Sequence, residues 1–418
     1  MIEPKLRFKK DDGSDFPDWE EKKLGDVCDT LTYGMNAAAV KFDGENKYIR
    51  ITDIDDESHC YKNDELVSPD GELDNKYLVC ENDILLARTG ASVGKSYLYN
   101  KEDGKLYYAG FLIKAHVKSE NSKFIFFQTL TERYDKWVKI TSMRSGQPGI
   151  NANEYSDFTM NVPSLPEQQK IADFLSTIDT IIEKQRATVS AWEERKKGVM
   201  QKLFSQEVRF KADDGSDFPD WEEKSFVNTF DSLNNSTFSR DCLNYENGSV
   251  KYIHYGDILV KYNSSVDVCD AIVPFVNEDL DCERFAILQD GDIVIADTAE
   301  DDTVGKVIEI ENTSNVKTIA GLHTIACRPK EKFASKYLGY YMNSDEYHNQ
   351  LRPYMQGIKV TSISKSNIAL TKIMVPSLPE QQKIADCLSA LDTVIQKQKE
   401  TLEKWQELKK GLLQQMFV

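Results

Sequence analysis

Two long stretches of the chain place a seam residue at alternating steps of four and three. Ile171, Leu175, Ile178, Ile182, Gln185, Val189, Trp192, Lys196, Val199 and Leu203 mark the first, and Ile384, Leu388, Leu391, Ile395, Gln398, Leu402, Trp405, Lys409, Leu412 and Met416 the second. A period of 3.5 residues predicts coiled-coil helices over 167–204 and 380–417, since a helix lying on a globular core carries a broader apolar stripe. Ser164 with Glu167, and Ser377 with Glu380, have the S-x-x-E spacing of a capping box. Pro166 and Pro379 fall in the first turn, where a missing N–H costs little. Elsewhere the runs "YIRIT", "DILLA", "DIVIA" and "KVIEI" have strand character, while "SKFIFFQTLTERYDKWV" and "SKYLGYYMNSDEYHNQL" have helical spacing.

The two helices belong to an internal repeat. "LRFKKDDGSDFPDWEEKKL" at 6–24 returns at 208–226 as "VRFKADDGSDFPDWEEKSF". "VPSLPEQQKIADFLSTIDTIIEKQRATVSAWEERKKGVMQKLF" at 162–204 returns at 375–417 as "VPSLPEQQKIADCLSALDTVIQKQKETLEKWQELKKGLLQQMF". Between these flanks only a skeleton survives: "KYIRITDI" against "KYIHYGDI", "ENDILLARTGASVGK" against "DGDIVIADTAEDDTVGK", "YYAGFLI" against "TIAGLHT". The middles therefore read as one α/β (α+β) fold carrying two different surfaces, which predicts a duplicated fold in which globular parts alternate with long helices.

Each half is a globular part followed by a helix, so a pseudo-two-fold arrangement pairs the helices antiparallel. In full overlap Gln185 meets Gln398 at the centre, Trp192 approaches Leu391 and Trp405 approaches Ile178. A polar pair inside an apolar seam penalises slipped alignments, which makes the two glutamines the expected setters of register. The alternative use of such a seam is a coiled coil between two chains. Two matching helices in one chain favour the internal pairing.

Composition narrows the function. A chain of 418 residues, 40% hydrophobic and 29% charged, predicts a globular protein of more than one domain. No apolar run approaches the ~20 residues of a membrane span, and "MIEPKLRFKKDDGSDF" carries charge where a signal peptide is apolar, so a cytoplasmic protein without a membrane partner is expected. The 8 cysteines form no C-x-x-C pair and read as reduced thiols. His59 and Cys60 lack the second ligand pair of a structural zinc, and no metal site is expected. A net charge of -17 excludes a surface coated in positive potential. If DNA is the partner, the basic surface must be local.

Catalytic signatures are missing. In "TGASVGKS" at 89–96, Gly90 is one residue too close to Gly94 for a phosphate-binding loop, and the second half has only "DDTVGKV". No asparagine precedes proline, as an adenine methyltransferase motif would require, and G-x-S-x-G and H-E-x-x-H are absent. No catalytic residue is assigned. Gly94–Lys95 and Gly305–Lys306 are expected to form turns that point a lysine outward, as a phosphate contact or as a plain solvated group. The segments "RYDKWVKITSMRSGQPGINAN" at 133–153 and "LRPYMQGIKVTSISKSN" at 351–367 combine Arg or Lys with Gln, Ser, Thr and Asn against the acidic background. Arg pairs with guanine and Gln with adenine in the major groove, while Lys and Ser hold phosphate. The candidate DNA-binding residues are therefore Arg88, Thr89, Lys95, Arg144 and Gln147 in the first half, and Lys306, Gln356, Lys359 and Ser362 in the second. Trp137 and Tyr354 are expected to pack rather than stack on bases.

The paired "LPEQQKIA" segments leading into heptad helices, the paired "FPDWEEK" stretches and the "GASVGK" turn give the chain a close resemblance to the specificity (S) subunit of type I restriction-modification systems, over essentially its whole length. The resemblance implies a non-catalytic subunit with two target recognition domains, at 1–162 and 208–375. Each would read one part of a split asymmetric site in double-stranded DNA. Spacer helices at 163–207 and 376–418, roughly 57 Å long at ~1.5 Å per residue, would act as a ruler holding the readers about one DNA turn, ~34 Å, apart. It also implies two methyltransferase (M) subunits and restriction (R) subunits as partners, which use S-adenosylmethionine, ATP and Mg2+; no cofactor is assigned to this chain. One departure stands out: Asp297 occupies the place of Arg88, and two residues are inserted after it. Two rival classes remain, an adaptor whose duplicated domains hold only proteins and an enzyme fused to its own reader.

Overall fold

The computed structural model describes residues 4–29, 31–143, 147–357 and 360–417. Its helices run over Leu165–Phe204 and Leu378–Met416, two residues earlier at each start than the seam alone predicts. The chain divides into two compact units, residues 1–186 with 400–418, and residues 187–399. Each unit combines one globular part with half of each long helix, a division that cuts through the helices instead of setting each apart as its own domain.

Within the first unit the start of the first helix and the end of the second run antiparallel. Asp179 pairs with Lys409 at 2.6 Å, and Ile171 and Leu175 share a core with Leu413, Met416 and Phe417. The second unit repeats this with the roles exchanged: Lys196 pairs with Asp392 at 2.6 Å, and Leu203 and Phe204 share a core with Ile384 and Leu388. The seam lysines are thus buried along their stems and neutralised by the facing helix, which explains how a charge sits at a seam position. Trp405 packs on the cluster that holds Ile178 and Ile182. Trp192 is half-buried, with the Arg195 guanidinium 5.1 Å from its ring. Gln185 lies in the first unit and Gln398 in the second.

The repeated Ser-x-x-Glu is not a capping box. The Ser164 and Ser377 hydroxyls are buried without a hydrogen-bond partner. Glu167, fully buried, instead accepts Nε and Nη2 of Arg7 at 3.0 and 2.9 Å. Glu380 accepts the same two nitrogens of Arg209 at 3.0 and 2.8 Å, and the Trp221 indole N–H at 3.1 Å. A guanidinium is the stronger partner for a buried carboxylate, so the glutamate turns away from its own helix terminus. Each repeated "RFK…DDGSDFPDW" segment is bolted in this way to the start of the helix in its own half. The next strands finish the closure: Glu20–Lys23 pairs antiparallel with Thr159–Val162, and Glu222–Ser225 with Lys372–Val375.

Each globular part is built on a sheet whose central strand is buried on both faces. In the first unit the order is Thr32–Tyr33, Leu112–His116, Asp83–Ala87, Ser96–Leu98, all antiparallel. In the second it is Phe230–Ser232, Thr324–Pro329, Ile293–Ala296, Val307–Glu311, Ser265–Asp267, the last pair parallel. "DILLA" and "IVIA" are the central strands, which is why they read as unbroken apolar runs rather than alternating ones. A parallel pair stands beside each sheet: Lys47–Ile49 with Leu106–Tyr108, and Val250–Ile253 with Lys317–Ala320.

The single helical stretch expected in each middle is broken into two. Ser122–Gln128 is followed by Glu132–Ser142, and Tyr337–Tyr341 by Asp345–Leu351. Thr131 and Ser344 stand at the breaks, each accepting the backbone N–H three residues ahead, from Tyr134 and Tyr347. Short hydroxyl side chains offer the backbone an alternative partner and so end one helix and begin another.

The helix Tyr337–Tyr341 is held at its start by Glu309, which is 2% exposed and accepts from the N–H groups of Lys336 at 2.7 Å and Gly339 at 3.1 Å. Burial raises its pKa from the usual carboxyl value of 4.5 to about 7, against the lowering effect of those bonds. A carboxyl with a raised folded-state pKa favours folding in its protonated form, so its contribution is full below pH 4.5 and is lost as pH rises through 7. The second unit is therefore expected to lose roughly 3 kcal/mol across that window. Glu309→Gln removes the dependence. Urea unfolding of both forms at several pH values checks this, and parallel curves would contradict it.

Candidate nucleic-acid interface

The two units build the same junction where the central strand ends. In the first, Arg88 N–H donates to Phe111 O at 3.0 Å and Arg88 O accepts from Ile150 N–H at 2.9 Å. In the second, Asp297 N–H donates to His323 O at 3.1 Å and Asp297 O accepts from Ile363 N–H at 2.9 Å. Thr89 bridges to Gly149, and Thr298 pairs with Ser362. The following turns match too: Gly94 and Gly305 have φ of 91° and 87°, and a Cβ at either would meet Val138 Cγ1 or Leu351 Cδ1 at 2.7 Å. Only glycine fits that close, left-handed approach of turn to helix.

This junction gathers several of the expected residues. In the first unit Arg88, Thr89 and Gln147 come together, with Gly90 N–H bonded to Pro148 O at 3.0 Å. The Arg88 guanidinium lies 4.9 Å from the Tyr33 ring and donates to Gly110 O at 3.3 Å. In the second unit Gln356 and Ser362 exchange backbone bonds at 3.1 and 2.9 Å, and both are exposed. Arg144 and Lys359 lie outside the described residues. Trp137 packs among Tyr134, Tyr155 and Phe158, and Tyr354 against the second core.

The turn lysines do not point outward. Lys95 Nζ donates to Ile54 O at 3.1 Å and pairs with Asp56, leaving its side chain 10% exposed. Lys306 Nζ donates to Leu259 O at 3.0 Å, and burial together with Lys196 holds its pKa below the usual lysine value. Each ammonium satisfies a carbonyl left open on the segment that follows the parallel strand, an acceptor more than 40 residues away that local spacing could not reveal. Both lysines are structural ties in this conformation.

Three residues at the junction were not singled out from sequence. Phe111 is 63% exposed and Tyr33 43% exposed beside Arg88. His323, at φ 56°, stands at the Phe111 position, with the Tyr255 ring 5.4 Å away. Aligning "YYAGFLI" on "TIAGLHT" pairs Phe111 with Leu322, because the second loop carries one extra residue that only the hydrogen bonds reveal. Next to this cluster, burial lowers the pKa of His254, whose Nδ1 accepts from Gly256 N–H at 3.0 Å. Fully buried Asp257 accepts from Nη1 and Nη2 of Arg240 at 2.9 and 3.0 Å.

Among the described residues, Cys80, Asp83 and His116 bring possible metal-ligand atoms within 4.8 Å of one another. The second unit shows what this node does. Asp83 accepts Cys80 N–H and faces His116 Nδ1, both at 2.8 Å. Asp292 accepts Gln289 N–H at 2.7 Å and the Arg328 Nε and Nη2 at 2.8 Å each. A buried aspartate that closes a turn and faces a cationic or ring-nitrogen partner accounts for both versions.

Over residues 17–189 and 219–404 the chain matches the family described as type I restriction modification DNA specificity domain. It is 27% identical to the "Type I restriction enzyme MjaVIII specificity subunit" of Methanocaldococcus jannaschii, over 95% of this chain and 92% of that one. A solved type I restriction-modification S subunit from M. genitalium superposes with a TM-score of 0.55 at 14% identity, covering 100% and 99% of the two chains. A second structure, described as the "structural basis underlying complex assembly and conformational transition of the type I R-M system", has a TM-score of 0.54 at 17% identity, covering 96% and 97%.

Proposed function

The chain belongs to the type I restriction modification DNA specificity family, and from that premise we propose how its two domains divide the work. It is a non-catalytic DNA-recognition subunit with two target recognition domains. Each domain reads one half of a bipartite, asymmetric site in double-stranded DNA through the junction at its strand end, and the long helices fix the gap between the halves. Two methyltransferase subunits and the restriction subunits assemble on it and supply the S-adenosylmethionine, ATP and Mg2+ chemistry in the cytoplasm. No helix of the described residues is long and apolar enough to cross a membrane.

The observation that carries this reading is the repeated junction: matching backbone bonds present Arg88 and Phe111 in one domain and Asp297 and His323 in the other, with Gln147 beside the first and Ser362 beside the second. A shared frame with exchanged side chains is what two readers of different sequences need.

Methylation mapping of a host carrying this subunit with its methyltransferase partners tests it, with a two-part motif of fixed gap as the expected result. The purified complex should also lose DNA affinity linearly on a log–log plot against salt, the signature of phosphate contacts. A complex with no salt-dependent DNA affinity would point to a purely protein-binding adaptor instead.

A further inference from the structure

Resting on the reading of the two domains as half-site readers, we infer that Arg88 and Asp297 make their domains read bases of opposite hydrogen-bond character in the major groove. Arg88 selects a guanine, and Asp297 selects a base that offers an exocyclic amino group.

The two residues leave the backbone at the same node. Each is fixed by one bond to the loop that joins the strand of the parallel pair, Leu106–Tyr108 or Lys317–Ala320, to the strand beside the central one, at Phe111 or His323, and one to the segment before the last short helix, at Ile150 or Ile363. Their chemistry is inverted. Arg88 presents a guanidinium, which can only donate, and its plane is steadied by the Tyr33 ring at 4.9 Å. Asp297 presents a carboxylate, which can only accept. It takes the Thr298 hydroxyl at 2.8 Å and stands 3.4 Å from His323 Nδ1, so its orientation is also held.

Guanine shows two acceptors, O6 and N7, to the major groove, and matches a guanidinium fork. Cytosine N4 and adenine N6 are donors there, and match a carboxylate. Exchanging the partners would set donor against donor or acceptor against acceptor. A carboxylate near the DNA backbone is also repelled by phosphate, so its presence at the reading node calls for a base donor that offsets the repulsion. Thr298 and His323 on one side, and exposed Ser362 and Gln356 on the other, complete a polar rim around Asp297. Around Arg88 the rim is Tyr33, Phe111 and Gln147, more aromatic and suited to a flat base edge.

The test is methylation mapping with the assembled complex carrying Arg88→Ala, Arg88→Lys, Asp297→Asn or Asp297→Glu. Arg88→Ala is expected to relax one guanine position of one half-site, with discrimination there reduced about 5- to 150-fold. Arg88→Lys keeps a donor and retains part of the preference. Asp297→Asn is expected to change the other half-site alone: a cytosine position shifts toward adenine, which an amide matches with one donor and one acceptor, and an adenine position tightens its preference. Asp297→Glu keeps the wild-type base. The wild-type motif shows whether that amino-bearing base is cytosine or adenine. Half-sites unchanged in Arg88→Ala and Asp297→Asn complexes that still methylate would overturn the inference, as would a first half-site without guanine. If the wild-type complex methylates no bipartite sequence at all, the recognition reading itself fails, a different result from either of these.

Discussion

Replacing Glu380 with alanine is expected to destabilise the second unit by about 3 kcal/mol, at the low end of the ~3–5 kcal/mol that follows breaking a buried ion pair. Glu380 is fully buried and takes three hydrogen bonds, two from Arg209 and one from Trp221. Its loss strands the indole N–H without an acceptor. Arg209 keeps Pro219 O at 2.6 Å, and its side chain stays 24% exposed, so solvent and that carbonyl soften the effect. The equivalent change, Glu167→Ala, breaks the Arg7 pair only, because the Trp19 Nε1 is buried without a hydrogen-bond partner already. It should therefore cost less, by about the 1 kcal/mol of a net hydrogen bond. Urea unfolding of the two variants, followed by tryptophan fluorescence, reads the difference directly. Losses below 1 kcal/mol in both would show that the glutamates are not the fasteners described, and equal losses that the Trp221 bond adds nothing.

Deleting residues 187–193 together with 395–401 is expected to shorten the gap in the methylated motif by about 3 base pairs while leaving both half-sites unchanged. Seven residues are two turns in a 3.5-residue seam, so the remaining seam stays in phase. The matched cut removes the Glu193–Lys399 pair but spares Asp179–Lys409 and Lys196–Asp392, one ion pair in each unit. At 1.5 Å per residue it takes about 10 Å from the helices, and DNA rises ~3.4 Å per base pair. Cutting only one helix leaves its partner with unmatched turns, and should impair folding or assembly rather than yield a clean new gap. A matched deletion that methylates with the original gap would show that the helices do not set it.

The heptads, the strand cores and the duplication were legible in the sequence because each is written in local spacing. What escaped was set by distant partners. Glu167 looks like a capping residue until Arg7, 160 positions earlier, is seen to hold it. Lys95 and Lys306 look like surface cations until the carbonyls of Ile54 and Leu259 are seen to fold them inward. The helical stretch at 122–138 carries a continuous apolar period, yet Thr131 breaks it, since a hydroxyl can cap as readily as it can ride along. Arg88, Thr89 and Gln147 could be nominated from residue type, and the structure brings them together. Phe111 and His323 could not be matched, because one inserted residue shifts their loops out of alignment.

The ends of the long helices carry a consequence for the ancestry of the chain. Phe417 packs against Trp19 and Phe124 in the first unit, with ring centroids 6.5 and 5.4 Å away, while Phe204 packs against Tyr337 and Tyr341 in the second, at 6.2 and 5.5 Å. Each half of the polypeptide thus lends its last helical turn to the core of the other half. A polypeptide of half this length would expose an apolar socket and carry, at its far end, the plug that fits the same socket in a second copy. Such half-length chains are self-complementary by geometry, and joining two of them end to end frees their surfaces to diverge, which turns a palindromic preference into an asymmetric one.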